Sequence, residues 1–341
     1  MTSLDVNVAL QQPQVRRGSR IGGLLRDPIA QVITRRILFA IPLLFVVSAL
    51  SFVLMRLIPG DPARQILGPS GSPEAYAALR EQLGLDLPLY QQYWDWLQNA
   101  VQGNLGTSIF RGESVVDILN QRLPVTFSLL FLSLLVTLIV GVTLGVLSAV
   151  RGGATGRGID VLSQLGFILP SFWVAAVLVS IFAVQLRLLP AVGYVPIDDS
   201  VADWLRSLVL PVAAIALASV AAVARQTREA MLDVLGSEHI RMARANGIPP
   251  HRILLRYALK PAGTRVMTML GLEAVSLLGG TVFIESVFAM PGLGSIAVSA
   301  TYQQDVPLVV GVTVYFTILV VIVNLIVDLM YTWLDPRVRT A

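Results

Sequence analysis

Apolar residues in this chain gather into runs too long for the interior of a soluble domain. Ile37 to Met55 is 19 residues long and its only polar members are Ser48 and Ser51. That is enough to cross a hydrocarbon core about 30 Å thick. Comparable runs occupy Val125–Val150, Ile159–Leu186 with Pro170 near its middle, Ser207–Ala224 with Pro211, Thr264–Ile284, and the stretch Val306–Trp333. Six spans and an all-α membrane fold follow, and an even number of crossings puts both chain ends on one side. The first run is too long for a removed signal peptide and lacks the small-residue cleavage site.

The polar stretches divide the chain. Residues 1–34 form an N-terminal segment, 35–58 the first span, 59–123 a non-membrane insert, 124–334 a five-span core containing a basic loop at 225–262, and 335–341 a tail. In the insert, Ser72-Pro73 opens a helix and Gly84 closes it, with Tyr76, Leu79 and Leu83 as its apolar stripe. Pro88 opens a second helix, closed by Gly103, with Tyr90, Tyr93, Trp94, Leu97 and Val101 on one side. Two such helices do not make a domain, so their apolar faces are expected on the spans or the membrane surface. Gly141-Val-Thr-Leu-Gly145 in the second span has the small-residue spacing that lets helices approach closely.

Charge fixes the expected orientation. Six arginines precede Ile37, two (Arg151, Arg157) lie in the next segment on that side, seven Arg or Lys against three acidic residues fill 225–262, and Arg337 and Arg339 follow the last span. The long insert carries four basic against seven acidic residues. Positive residues stay inside, so both termini and the basic loop are expected in the cytoplasm. These arginines sit beside spans, which excludes a nucleic-acid surface as the better explanation.

Composition removes most chemistry. The chain has no cysteine, two histidines (His239, His251) and one lysine, Lys260. Lys260 is followed by proline, so no Gly-Lys-Ser/Thr phosphate-binding loop exists. Neither a His-Glu-x-x-His nor a Gly-x-Ser-x-Gly pattern occurs. An enzyme has no parts at membrane depth, and no cofactor or metal is expected on this chain.

Within the basic loop a short helix has its ends written in. Ser237 is placed to cap the first amides, and Glu238 suits the positive end of the helix dipole. Arg241 and Arg244 lie toward the negative end. Asn246-Gly247 supplies a left-handed stop and Pro249-Pro250 forbids continuation. A helix this short is not stable alone, so its own protein or a partner must hold it.

The run Ile240-Arg-Met-Ala-Arg-Ala-Asn-Gly247, followed by Ile253-Leu-Leu-Arg-Tyr-Ala-Leu-Lys-Pro261, resembles the cytoplasmic loop of ATP-binding-cassette importer permeases, and more narrowly the dipeptide/oligopeptide and nickel branch. The likeness extends to Pro59-Gly-Asp-Pro62, Leu79-Arg-Glu-Gln-Leu-Gly-Leu85, Gly103-Asn-Leu-Gly106, Glu285-Ser-Val-Phe-Ala-Met-Pro-Gly-Leu-Gly294 and Leu334-Asp-Pro-Arg337, in order across roughly residues 35 to 339. Arg241-Met242-Ala243 stands where the signature is often written Glu-Ala-Ala. The resemblance implies a coupling helix that docks on a separate ATPase, with Ser237, Glu238, His239, Arg241, Ala243, Arg244 and Gly247 as coupling residues. It further implies one or two ATPase subunits that bind ATP and Mg, a second homologous permease, an extracytoplasmic substrate-binding protein, and peptide cargo. Nickel chelates and glutathione are the alternatives within the family.

Glu273 is a carboxylate about nine residues into the fifth span, which must face protein or water. The resemblance more often shows an amide there. It either pairs with a polar group of a neighbouring helix or lines the pathway and favours cationic cargo. Gly279-Gly280 permits tight packing or bending. Asp328 and Asp160 read as structural partners for arginines, with Asn324 on the same face as Asp328. An ion-coupled secondary transporter would show an internal repeat, and none is visible; a non-transporting membrane anchor is the third reading.

Overall fold

The computed structural model describes residues 28–68, 71–153 and 168–334, with isolated positions between 156 and 166. Arg16, Arg17, Arg20, Arg26, Arg157, Asp160, Arg337 and Arg339 lie outside the described residues. Regular structure among the described residues is helical, with one isolated antiparallel bridge between Thr107 and Ser114. Eleven helices are numbered here: α1 Pro28–Leu57, α2 Pro62–Leu67, α3 Pro73–Gln82, α4 Leu89–Val101, α5 Val115–Arg151, α6 Ser171–Gln185, α7 Val201–Leu235, α8 Glu238–Ala245, α9 Pro250–Val287, α10 Leu293–Tyr302 and α11 Val306–Leu334. Helices α5, α6 and α9 each contain a π-helical stretch, at Thr137–Gly141, Val179–Gln185 and Ile253–Ala258.

Five of these helices, α1, α5, α7, α9 and α11, are long and apolar enough to span. Of the third expected span, 159–186, residues 159, 160, 162–165 and 167 lie outside the described residues, and the break expected at Pro170 is present. Pro170 is extended (φ −62°, ψ 133°) and starts α6 at Ser171, because proline has no N–H to donate and its ring clashes with a preceding turn. From there to Gln185, α6 covers only about 22 Å.

Spans also overrun their apolar runs. Helix α5 begins at Val115, ten residues ahead of the apolar run, so the last turns of the insert are already helical. Its first turns are held by Val115 and Leu119, which pack against Gly311 of α11; a Cβ on Gly311 would lie 2.5 Å from Val115 Cγ1. Helix α7 is 35 residues long, about 52 Å against a core of roughly 30 Å. The expected loop 225–262 is therefore no loop. Helices α7 and α9 continue through it, with α8 as a crosspiece. Ala230 and Met231 of α7 pack on Ala258 and Ala262 of α9, and Arg265 pairs with Asp233 across them at 2.5 Å.

The expected glycine contact between α5 and α7 is present. A Cβ on Gly145 would lie 2.5 Å from the Ala224 carbonyl oxygen and from Thr227 Cβ. At the α8 end of the bundle Arg36 of α1 pairs with Asp328 of α11, while Asn324 bonds back to its own helix at Val320.

In the insert, Ser72 Oγ accepts from the Ala75 amide at 3.2 Å and Gly84 takes φ 65°, as the sequence predicts. Helix α4 turns only part of the expected stripe inward, Tyr93 and Leu97, together with Trp96. Tyr93 stacks on Trp96 and meets Phe45 and Phe52 of α1 edge-on, with centroids 5.7–5.9 Å away. Tyr90 (77% exposed) and Val101 (81%) point outward, with Trp94. Apolar residues flank both sides of this helix, and only the position of α1 decides which side it buries.

Candidate functional site

Helix α8 is built as a stiff crosspiece. Ile240 (0% exposed) and Ala243 are its inward residues and meet Ile253, Val234, Leu235 and Ile248. Its C-terminus closes as a Schellman motif: Gly247 N donates to the Arg244 carbonyl at 3.0 Å and Ile248 N to the Ala243 carbonyl at 3.1 Å, with Gly247 at φ 73°. Two expectations are corrected. Ser237 occupies the N-cap position but its hydroxyl does not cap an amide; it donates to the Val234 carbonyl at 2.5 Å and lies 2.9 Å from His239 Nδ1. Ala243 faces its own protein, so it holds α8 in place and offers nothing outward. The outward face carries Glu238, His239, Arg241 and Arg244, together with Met242, which the sequence did not single out and which is 65% exposed. The Schellman closure and the buried Ile240 and Ala243 seat α8 against α7 and α9.

Helix α9 turns one face out of the chain, with Thr268, Leu272, Ser276, Gly279 and Phe283 exposed along it. Gly279 has nothing within 4 Å of a built Cβ, whereas Gly280 approaches Ile215 of α7 at 3.2 Å. The two glycines thus divide the expected role: Gly280 allows packing, and Gly279 leaves the open face smooth. The helix runs unbroken through both. Glu273 is half-buried at the border of that face and makes no hydrogen bond or ion pair among the described residues.

The opposite end of the bundle is tied by polar groups that no local pattern marks. Glu285 is fully buried; Thr126 Oγ1 donates to its Oε1 at 2.6 Å and the Ser295 amide to its Oε2 at 2.9 Å. Thr126 in turn accepts from the Leu293 amide at 2.8 Å. One carboxylate thereby joins α5, α9 and the start of α10. Asp305, also buried, accepts from Ser108 at 2.5 Å. Gln304 donates to the Pro59 carbonyl at 3.0 Å, and a Cβ on Gly60 would fall 2.3 Å from its Nε2, so the Pro-Gly-Asp-Pro turn needs glycine there.

Asp61 is the hub of α2 and α3, taking hydrogen bonds from Tyr76, Arg80 and the Ala63 amide. Burial pushes its carboxyl up, but the Tyr76, Ala63 and Arg80 bonds outweigh it and hold the pKa below the ordinary aspartate value. The stabilisation is therefore complete above the ordinary value of 3.8 and is lost as pH falls through the lowered one. Pepsin cutting of the α2–α3 segment, mapped by mass spectrometry from about pH 5 to pH 2.5, is expected to rise steeply in the wild type. Asp61→Asn is expected to be cut at every pH, and a profile shared by both proteins would contradict this role.

The family model for "Binding-protein-dependent transport system inner membrane component" matches residues 141–340, and its N-terminal companion matches 29–130. The oligopeptide transport system permease protein AppB of Bacillus subtilis is 38% identical over 315 residues, covering 91% of this chain and 100% of that one. The glutathione transport system permease protein GsiC of Escherichia coli is 36% identical over 308 residues, 90% of this chain and 98% of that one. In three dimensions the chain is similar to a chain of the inward-facing MetNI methionine ABC transporter, with a TM-score of 0.54 at 18% identity over 64% of this chain and 97% of the other. This chain belongs to the family of binding-protein-dependent transport system inner membrane components, the permeases of ATP-binding-cassette importers.

Proposed function

We propose that the chain is one half of the translocation pathway of a peptide importer, driven by ATPase subunits that dock on α8. The observation that carries this is the construction of α8, anchored through Ile240 and Ala243 with Glu238, His239, Arg241, Met242 and Arg244 facing outward. ATP and Mg belong to the partner subunits. Closure of the ATPases pulls α8, and the α7–α9 stalk carries the movement into the bundle. The exposed face of α9 meets a second permease across the path, and a binding protein delivers cargo at the α2–α4 end. Relatives named for oligopeptide and for glutathione transport support a peptide-like cargo. The basic α8 end faces the cytoplasm in this reading. Because the chain has no cysteine, a single Arg241→Cys would report this through labelling by a membrane-impermeant reagent only in inverted vesicles.

The test of coupling is Gly247→Pro in the complete importer. Proline locks φ near −65°, against the observed 73°, and removes the bond to the Arg244 carbonyl. ATP-dependent uptake is expected to fall at least tenfold while the chain still reaches the membrane. Unchanged uptake would remove α8 from the mechanism. Glu273, which makes no hydrogen bond or ion pair among the described residues, favours cationic cargo in this reading. Glu273→Gln is expected to lower uptake of lysine-containing peptides relative to neutral ones, and an unaltered ratio would refute that role.

A further inference from the structure

Two cavities away from α8's outward face and α9's open face adjoin one another. The first, about 330 Å³, lies between α5, α9 and α11 and is walled by apolar side chains alone, including Phe131, Leu134, Leu270 and Val327. The second, about 530 Å³, continues it toward α8, and the two share Leu138 and Met267. The groove ends on Lys260, the single lysine of the chain. Along α9 the distance from Lys260 to Ala274 is about 21 Å, close to one leaflet with its headgroup layer. Lys260 and Arg256, four residues before it, are exposed, and neither pairs with a carboxylate among the described residues.

We propose that this groove is a site for an anionic phospholipid, one acyl chain lying in the apolar channel and the phosphate against Lys260 and Arg256. A soluble ligand would find no polar group along the channel to recognise. A neutral lipid would make no use of Lys260 at the mouth or of Arg256 four residues before it, whereas each favours an anionic headgroup by roughly fivefold. The channel passes Leu255 and Leu259, on and beside the π-helical stretch at the base of α9. A seated chain would therefore brace the stalk where its helix is least regular.

The test uses the full chain in the complex with which it purifies, stripped of lipid by detergent exchange. Phosphatidylglycerol is expected to be retained in native mass spectra and to raise the unfolding midpoint at roughly tenfold lower concentration than phosphatidylcholine of the same chain length. Arg256→Gln with Lys260→Gln should bring phosphatidylglycerol to the level of phosphatidylcholine. Met267→Trp, which fills the channel, should lower retention of both. The proposal is overturned if the two lipids act alike on the wild type, if the charge variants leave the preference intact, or if inorganic phosphate alone gives the same stabilisation. It is equally overturned if a crosslinker on Met267→Cys captures a partner permease helix instead of lipid.

Discussion

Replacing Glu285 with alanine is expected to cost roughly 2–6 kcal/mol, the sum for two donors left without their acceptor. The side chain is 0% exposed and its two oxygens accept from Thr126 and from the Ser295 amide. Without it, the buried Thr126 hydroxyl and the half-buried Ser295 amide lose their acceptor, each at about 1–3 kcal/mol. The glycines around it leave no room for repair by side chains: a Cβ on Gly292 would lie 2.3 Å from the Glu285 Cδ, and one on Gly294 would lie 2.5 Å from Val282 Cα. Measured by thermal unfolding in detergent, Glu285→Ala should unfold many degrees below wild type. Glu285→Gln, which keeps one acceptor, should recover part of the loss. A midpoint for Glu285→Ala equal to wild type would show that the carboxylate does not tie α5, α9 and α10 together.

Gly145→Leu comes next in size. Overpacking a close contact usually costs about 1–3 kcal/mol, and here the obstruction includes backbone, the Ala224 carbonyl oxygen at 2.5 Å from the first side-chain carbon. Side-chain rotation cannot relieve it, so α5 and α7 must separate. Gly141→Leu, whose Cβ meets Val223 at 3.0 Å and the Val220 carbonyl oxygen at 3.2 Å, should be milder because these contacts are longer than the 2.5 Å at Gly145. The expected order in membrane accumulation is wild type, then Gly141→Leu, then Gly145→Leu. Equal accumulation of the two variants would mean that α5 does not seat on α7 through Gly145.

Both effects depend on contacts between distant parts of the chain, and this is where reading residues in order reaches its limit. Glu285 stands in a quoted motif, yet nothing beside it shows that Thr126, 159 positions away, is its partner. Glu273 drew attention because a carboxylate inside an apolar run is visible locally, while its lack of a partner among the described residues is a spatial fact. Ser237 illustrates a competition: its hydroxyl can reach an amide ahead or a carbonyl behind, and it bonds the Val234 carbonyl. The ends of α5 and α7 were misplaced because hydropathy marks where lipid contact stops, while helices continue as long as their neighbours bury them.

By itself the sequence determined the apolar runs, the insert, the turn at Gly84, the stop at Gly247, the glycine spacing of α5 and the absence of a nucleotide loop. Each rests on the chemistry of one residue or a few adjacent ones: a missing Cβ, a missing N–H, a lysine followed by proline. Tertiary structure alone decided that Ala243 points inward, that α4 buries Tyr93 and not Tyr90, that the segment after Arg225 is a packed pair of helices, and that one carboxylate knots three helices. Those outcomes depend on which surface arrives opposite, and burial of a face or pairing of a buried polar group is settled only when two remote segments meet.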